Sequence, residues 1–129
     1  MANRWLNQFT KTLEKEVVHL FAKVEIGAAG APTLVTNNQS KGFASITRTG
    51  DGAYDIVMQD SWYKFFGCYV TFETAGAGPA APDVSVYDQA IDDNPGTFSL
   101  LCQNGGVDTD PASGEVMYIH LVVGNSSAL

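Results

Sequence analysis

The chain has 129 residues, of which 45% are hydrophobic, and a formal net charge of −7. That length and composition fit one globular domain with a core of its own, and they exclude a largely disordered chain. The acidic balance excludes the clustered Lys and Arg that a nucleic-acid-binding body needs, and no run approaches the ~18 apolar residues of a membrane span.

Charge is unevenly spread. Residues 1–24 carry Arg4, Lys11, Lys15 and Lys23 against Glu14 and Glu16, a net of +2, whereas residues 25–129 carry a net of −9. The first 16 residues are also apolar at Trp5, Leu6, Phe9 and Leu13. Leu6, Phe9 and Leu13 are spaced three and four apart, which suits a short helix, and an extended arm is equally open. A segment this short does not fold alone, so residues 1–16 read as an arm that packs on a neighbour. Its polar interruptions do not match a secretory leader.

From residue 17 the period changes to two. Val18, Leu20, Ala22, Val24 and Ile26 alternate with His19, Lys23 and Glu25, as in a half-buried strand. Phe21 breaks the polar side and marks a second contact. Gly27-Ala28-Ala29-Gly30-Ala31-Pro32 ends that strand. Residues 43–48 and 54–59 read as a hairpin around Thr49-Gly50-Asp51-Gly52, with Tyr54, Ile56 and Met58 on one face.

Trp62-Tyr63-Lys64-Phe65-Phe66 then places four rings in five residues. One strand face buries only alternate positions, so some of Trp62, Tyr63 and Phe65 either point away from the domain's core, as interface anchors, or fold under it as a loop. Residues 66–73 read as a strand with Phe66, Cys68, Val70 and Phe72 on one face and Gly67, Tyr69, Thr71 and Glu73 on the other.

A Gly/Ala/Pro loop at 74–82 leads to strands at 84–88 and 97–103, separated by the turn Asp92-Asp93-Asn94-Pro95-Gly96. After a loop at 104–114 the last strand, 116–123, has Met117, Ile119, Leu121 and Val123 inside. Its other face (Val116, Tyr118, His120, Val122) is largely apolar too, the mark of a strand that is central in its sheet or covered by another subunit. The seven strands predict an all-β antiparallel sandwich over residues 17–129. Jelly roll is the favoured variant, and an immunoglobulin-like order is open.

Chemistry is hard to find in this chain. There is no Cys-x-x-Cys, no His-x-x-x-His, no phosphate-cradling glycine motif and no Gly-x-Ser-x-Gly elbow. His19 and His120 sit in strands without a nucleophile at a loop apex. Asp88, Asp92, Asp93, Asp108 and Asp110 read as turn residues rather than a cation site. Cys68 and Cys102 read as small buried hydrophobes. The expectation is a protein with no catalytic, metal or cofactor residues, whose interface residues are Arg4, Trp5, Leu6, Phe9, Leu13, Trp62, Tyr63 and Phe65.

Three segments resemble small virion proteins of tailed bacteriophages. They are Gly27-Ala28-Ala29-Gly30-Ala31-Pro32-Thr33-Leu34, the run from Ser40 to Ile56 with its hairpin Ser45-Ile46-Thr47-Arg48-Thr49-Gly50, Gly52 and Tyr54, and Asp110-Pro111-Ala112-Ser113-Gly114-Glu115-Val116. The resemblance is to capsid decoration, or cement, proteins and to tail-fibre modules. It implies a protein made in the host cytoplasm that joins the outer surface of the virion head as a homodimer or homotrimer. Its partner would be the major capsid protein, with no part for nucleic acid or membrane. The alternative is a tail-fibre or head-fibre module that binds a host-surface glycan, with Trp62 and Tyr63 as its aromatic platform.

Overall fold

The structure is a computed structural model that describes residues 17–74 and 82–125. It is an all-β sandwich of two antiparallel sheets. The strands are β1 (Val17–Ile26), β2 (Pro32–Val35), β3 (Phe43–Gly50), β4 (Ala53–Met58), β5 (Lys64–Glu73), β6 (Asp83–Ala90), β7 (Thr97–Asn104), β8 (Val107–Asp108) and β9 (Val116–Gly124). The first sheet runs β2-β1-β9-β5, and the second runs β3-β4-β7-β6 with β8 added against the end of β7.

Four hairpins (β1–β2, β3–β4, β6–β7 and β7–β8) stay within a sheet, while the β2–β3, β4–β5, β5–β6 and β8–β9 connections cross between sheets. A jelly roll passes from sheet to sheet at most of its connections, so this wiring shares the crossings and departs at the four hairpins. Seven strands lie where the alternation predicts them. β2 and β8 are additions, of four and two residues, too short for a period to register.

The core is built from alternate positions. Leu20, Ala22, Val24 and Ile26 of β1 and Met117, Ile119, Leu121 and Val123 of β9 meet Tyr54, Ile56 and Met58 of β4 and Phe98, Leu100 and Cys102 of β7. Removing each large apolar side chain from water contributes roughly 1.5–3 kcal/mol. Phe98 anchors the middle, with Phe43 and Phe65 edge-on or tilted to it at centroid distances of 6.4 and 6.2 Å. Cys68 of β5 and Cys102 of β7 are free thiols on different sheets. Burial pushes both thiols up to about 12, so neither is a thiolate at neutral pH.

One end of the sandwich is closed by a polar clip. Asp110 accepts from Arg48 through Nε (3.0 Å) and a terminal amine (2.7 Å), and from the Gly52 amide at 2.8 Å. The fork geometry suits a guanidinium–carboxylate pair. The hydrogen bond from Arg48 holds the Asp110 carboxyl below its ordinary value. Gly52 sits at φ +69, where an added Cβ would strike the Cys102 carbonyl, so the hairpin turn requires glycine here. Beside the clip the buried Tyr54 hydroxyl donates to the Gly30 carbonyl at 2.7 Å.

β5 departs from the sequence expectation at one point. Its ladder with β9 slips between Phe65 and Gly67, a β-bulge that inserts one extra residue. The slip turns Phe65 inward against Phe98 and leaves Phe66 outside, 53% exposed, whereas strict alternation placed Phe66 with Cys68, Val70 and Phe72. Gly124 makes room for it, since a Cβ there would lie 3.0 Å from the Phe66 ring.

Candidate functional site

The outer face of the first sheet is where exposed aromatic side chains converge. β9 is its central strand, so residues of β1 and β5 flank each outward residue of β9. The ladders set Phe21 opposite His120 and His120 opposite Tyr69, one row across three strands. The next row is Lys23, Tyr118 and Thr71, and on the other side lie His19, Val122 and Gly67. Directly opposed side chains stand close enough to pair.

They do pair. Phe21 stacks on His120 with centroids 4.6 Å apart and planes 17° apart. Tyr69 lies 5.8 Å away on the other side, tilted by 44°. His19 Nδ1 and His120 Nε2 are 2.9 Å apart, a hydrogen bond in which one ring supplies a proton and the other a lone pair. The Tyr118 hydroxyl donates to Glu73 at 2.8 Å, which raises the phenol above its ordinary value and keeps it protonated.

The first two rows, Phe21–His120–Tyr69 and Lys23–Tyr118–Thr71, with Gln39 at the margin, bound a shallow hollow of about 460 Å³. Phe21 is 52% exposed and Tyr69 64%. Aromatic side chains are enriched at the centres of protein interfaces, and this face carries them open to water.

The aromatic run after β4 divides. Trp62 and Phe65 pack against the core from its margin, so their rings serve the domain's own packing, and Tyr63 stays outside, 62% exposed. The loop is stitched in place: Trp62 N–H donates to the Ile91 carbonyl, Gly96 N–H to Asp60, and Tyr63 N–H to Gly124. Between the β4–β5 and β6–β7 connections lie two adjoining polar hollows of about 420 and 290 Å³, lined by Asp60, Ser61, Trp62, Tyr63, Asp92, Asn94 and Asn125. The Trp62 indole N–H is buried there without a partner among the described residues.

Arg4, Trp5, Leu6, Phe9 and Leu13 lie outside the described residues. Of the expected interface set, therefore, Tyr63 is the exposed aromatic among those described. The face built from Phe21, Phe66, Tyr69, Tyr118 and His120 was only half visible in the sequence. The doubly apolar last strand and the out-of-pattern Phe21 were its signals, and the lateral register that joins them was not readable.

Among the described residues no group of three or more His, Cys, Asp or Glu side chains is arranged to hold a metal ion. Nor is any described helix long and apolar enough to cross a membrane. Comparison with known proteins found no matching family model, no matching curated protein and no matching solved structure.

Proposed function

We propose that this protein is a non-enzymatic virion component, a bacteriophage capsid decoration protein that binds the outside of the head and steadies contacts between major capsid subunits. The docking surface in this reading is the outer face of the first sheet. The observation that carries the binding role is the row Phe21–His120–Tyr69, three rings in register on adjacent strands with the outer two more than half exposed. The capsid as partner rests on the resemblance of the hairpin and loop segments. Residues 1–16, with Arg4, Trp5, Leu6, Phe9 and Leu13, would add a basic, apolar strap to the acidic body.

The test is cosedimentation with phage capsids stripped of this protein. Saturable binding at a fixed copy number per major capsid subunit is expected, and it should be lost when Phe21 and Tyr69 are both changed to Ser. Binding that never saturates, or that survives that double change, would overturn the reading.

A second reading has its own observation. The polar hollows beside Tyr63 combine an exposed ring with Asp60, Asp92, Asn94 and Asn125, a set that can accept and donate to sugar hydroxyls. This supports the fibre-module alternative, in which the chain binds a host-surface glycan. A neutral-glycan array probed with the oligomer should then give hits that disappear in Tyr63→Ala.

A further inference from the structure

β5 ends the first sheet, and among the described residues nothing pairs with its outer edge. The other edges are blunted. β2 has four residues and starts with Pro32, while the ladders of β3 and β6 are broken by irregularities. β5 is ten residues long, and beyond its bulge it runs regularly from Gly67 to Glu73. A long, flat edge with unpaired backbone groups is a template for another strand.

We infer that β5 pairs antiparallel with β5 of a second copy about a twofold axis through Tyr69, which makes the protein a symmetric dimer. The register follows from the strand itself. In an antiparallel pair, opposed residues must point to the same side of the sheet, so a self-pairing strand is centred on a residue. Measured on the β9 ladder, Tyr69 is opposite His120, Lys64 is opposite Gly124 and Glu73 is opposite Val116. The bulge at Phe66 absorbs the extra residue, so Lys64 and Glu73 lie equally far from Tyr69 in opposite directions and on the same outer face.

Centred on Tyr69, the pairing sets Lys64 of each copy opposite Glu73 of the other. They are the only charged residues of β5, one at each end and of opposite sign. It also sets Thr71 opposite Gly67 and Val70 opposite Cys68. No like charges meet, and the polar and apolar faces stay matched.

The same register continues the docking face. The row Phe21–His120–Tyr69 runs straight into its symmetry copy, so the four-stranded sheet becomes eight-stranded with six rings in line. The inference does not rest on the capsid as partner, and dimerisation is measured without one.

The experiment is sedimentation equilibrium of the full chain over a wide concentration range, with charge-swap variants. The wild type should be a monomer–dimer system. Lys64→Glu alone and Glu73→Lys alone should each weaken the dimer by about tenfold or more, the size of a lost 1.4 kcal/mol. The double swap Lys64→Glu with Glu73→Lys should restore it, which damage to the fold would not do.

Tyr69→Cys should form an intermolecular disulfide under mild oxidation, because opposed residues of an antiparallel pair bring their Cα atoms to about 4.5–5.5 Å, within the span a disulfide bridges. A monomer at all concentrations, a trimer, or a dimer unmoved by either single swap and uncrosslinked through residue 69 would overturn the inference. Cross-linking through residue 69 supports it even if a charge variant fails to fold.

Discussion

The two outer faces of this sandwich are made from the same kind of strand and carry opposite chemistry. On the first sheet the outward rows are Phe21–His120–Tyr69 and Lys23–Tyr118–Thr71. On the second sheet the corresponding row is Thr47, Asp55, Ser99 and Asp88, with the Ser99 hydroxyl donating to Asp55 at 2.7 Å. The hydroxyls and carboxylates of this row satisfy one another and water. The first leaves rings half in water that gain from being covered. The fold itself is indifferent to the choice, because both faces lie outside the core, and in the proposed reading that freedom is what opens the first face to a partner.

The largest effect comes from the shared core: Leu121→Ala removes a fully buried side chain and should cost about 2–5 kcal/mol, a large part of the ~5–15 kcal/mol total of a small domain. Urea denaturation would measure it, and both faces would be lost together.

Next is the double change Phe21→Ser with Tyr69→Ser. It should leave the unfolding midpoint within about 1 kcal/mol of wild type, as exposed sites do, yet reduce capsid binding at least tenfold. Circular dichroism with cosedimentation separates those two outcomes.

A smaller effect belongs to the clip at the far end. The Asp110 value is lowered by its hydrogen bond from Arg48, so the clip contributes stability that is full above the unfolded-chain value of about 3.9. That contribution is lost as pH falls through the lowered folded value. Asp110→Asn should flatten this part of the pH–stability curve, measured by thermal unfolding from neutral to acidic pH, and leave capsid binding at neutral pH unchanged. The smallest effect is expected from Ser99→Ala on the second face. It removes one exposed hydrogen bond and should change neither stability by more than about 0.5 kcal/mol nor binding at all.

Much of this architecture was legible in the residues. The alternation of Leu20, Ala22, Val24 and Ile26, and of Met117, Ile119 and Leu121, is a direct record of one buried face, and it located seven strands. Val116, Tyr118, His120 and Val122 form a second, largely apolar set that marks β9 as central or covered, and the fold places it centrally between β1 and β5.

What sequence did not carry was lateral order. Nothing in β1, β5 or β9 alone says that Phe21, His120 and Tyr69 share a row, because register between distant strands is fixed by tertiary packing. The bulge at Phe66 was equally hidden. One inserted residue reverses which of Phe65 and Phe66 faces the core, and five consecutive bulky residues leave no period to reveal it. The pull of Trp62 into the β6–β7 connection, by the hydrogen bond its backbone N–H donates to the Ile91 carbonyl, is likewise a long-range event.

The most direct measurement of the central claim is hydroxyl-radical footprinting of the protein free and bound to capsids. Tyr87 on β6 is 52% exposed, the same as Phe21, and serves as a control on the second sheet. Docking through the first sheet should strongly protect Phe21, Phe66 and Tyr69 on binding and leave Tyr87 modified as before. Protection of Tyr87 with Phe21 and Tyr69 still fully reactive would contradict it.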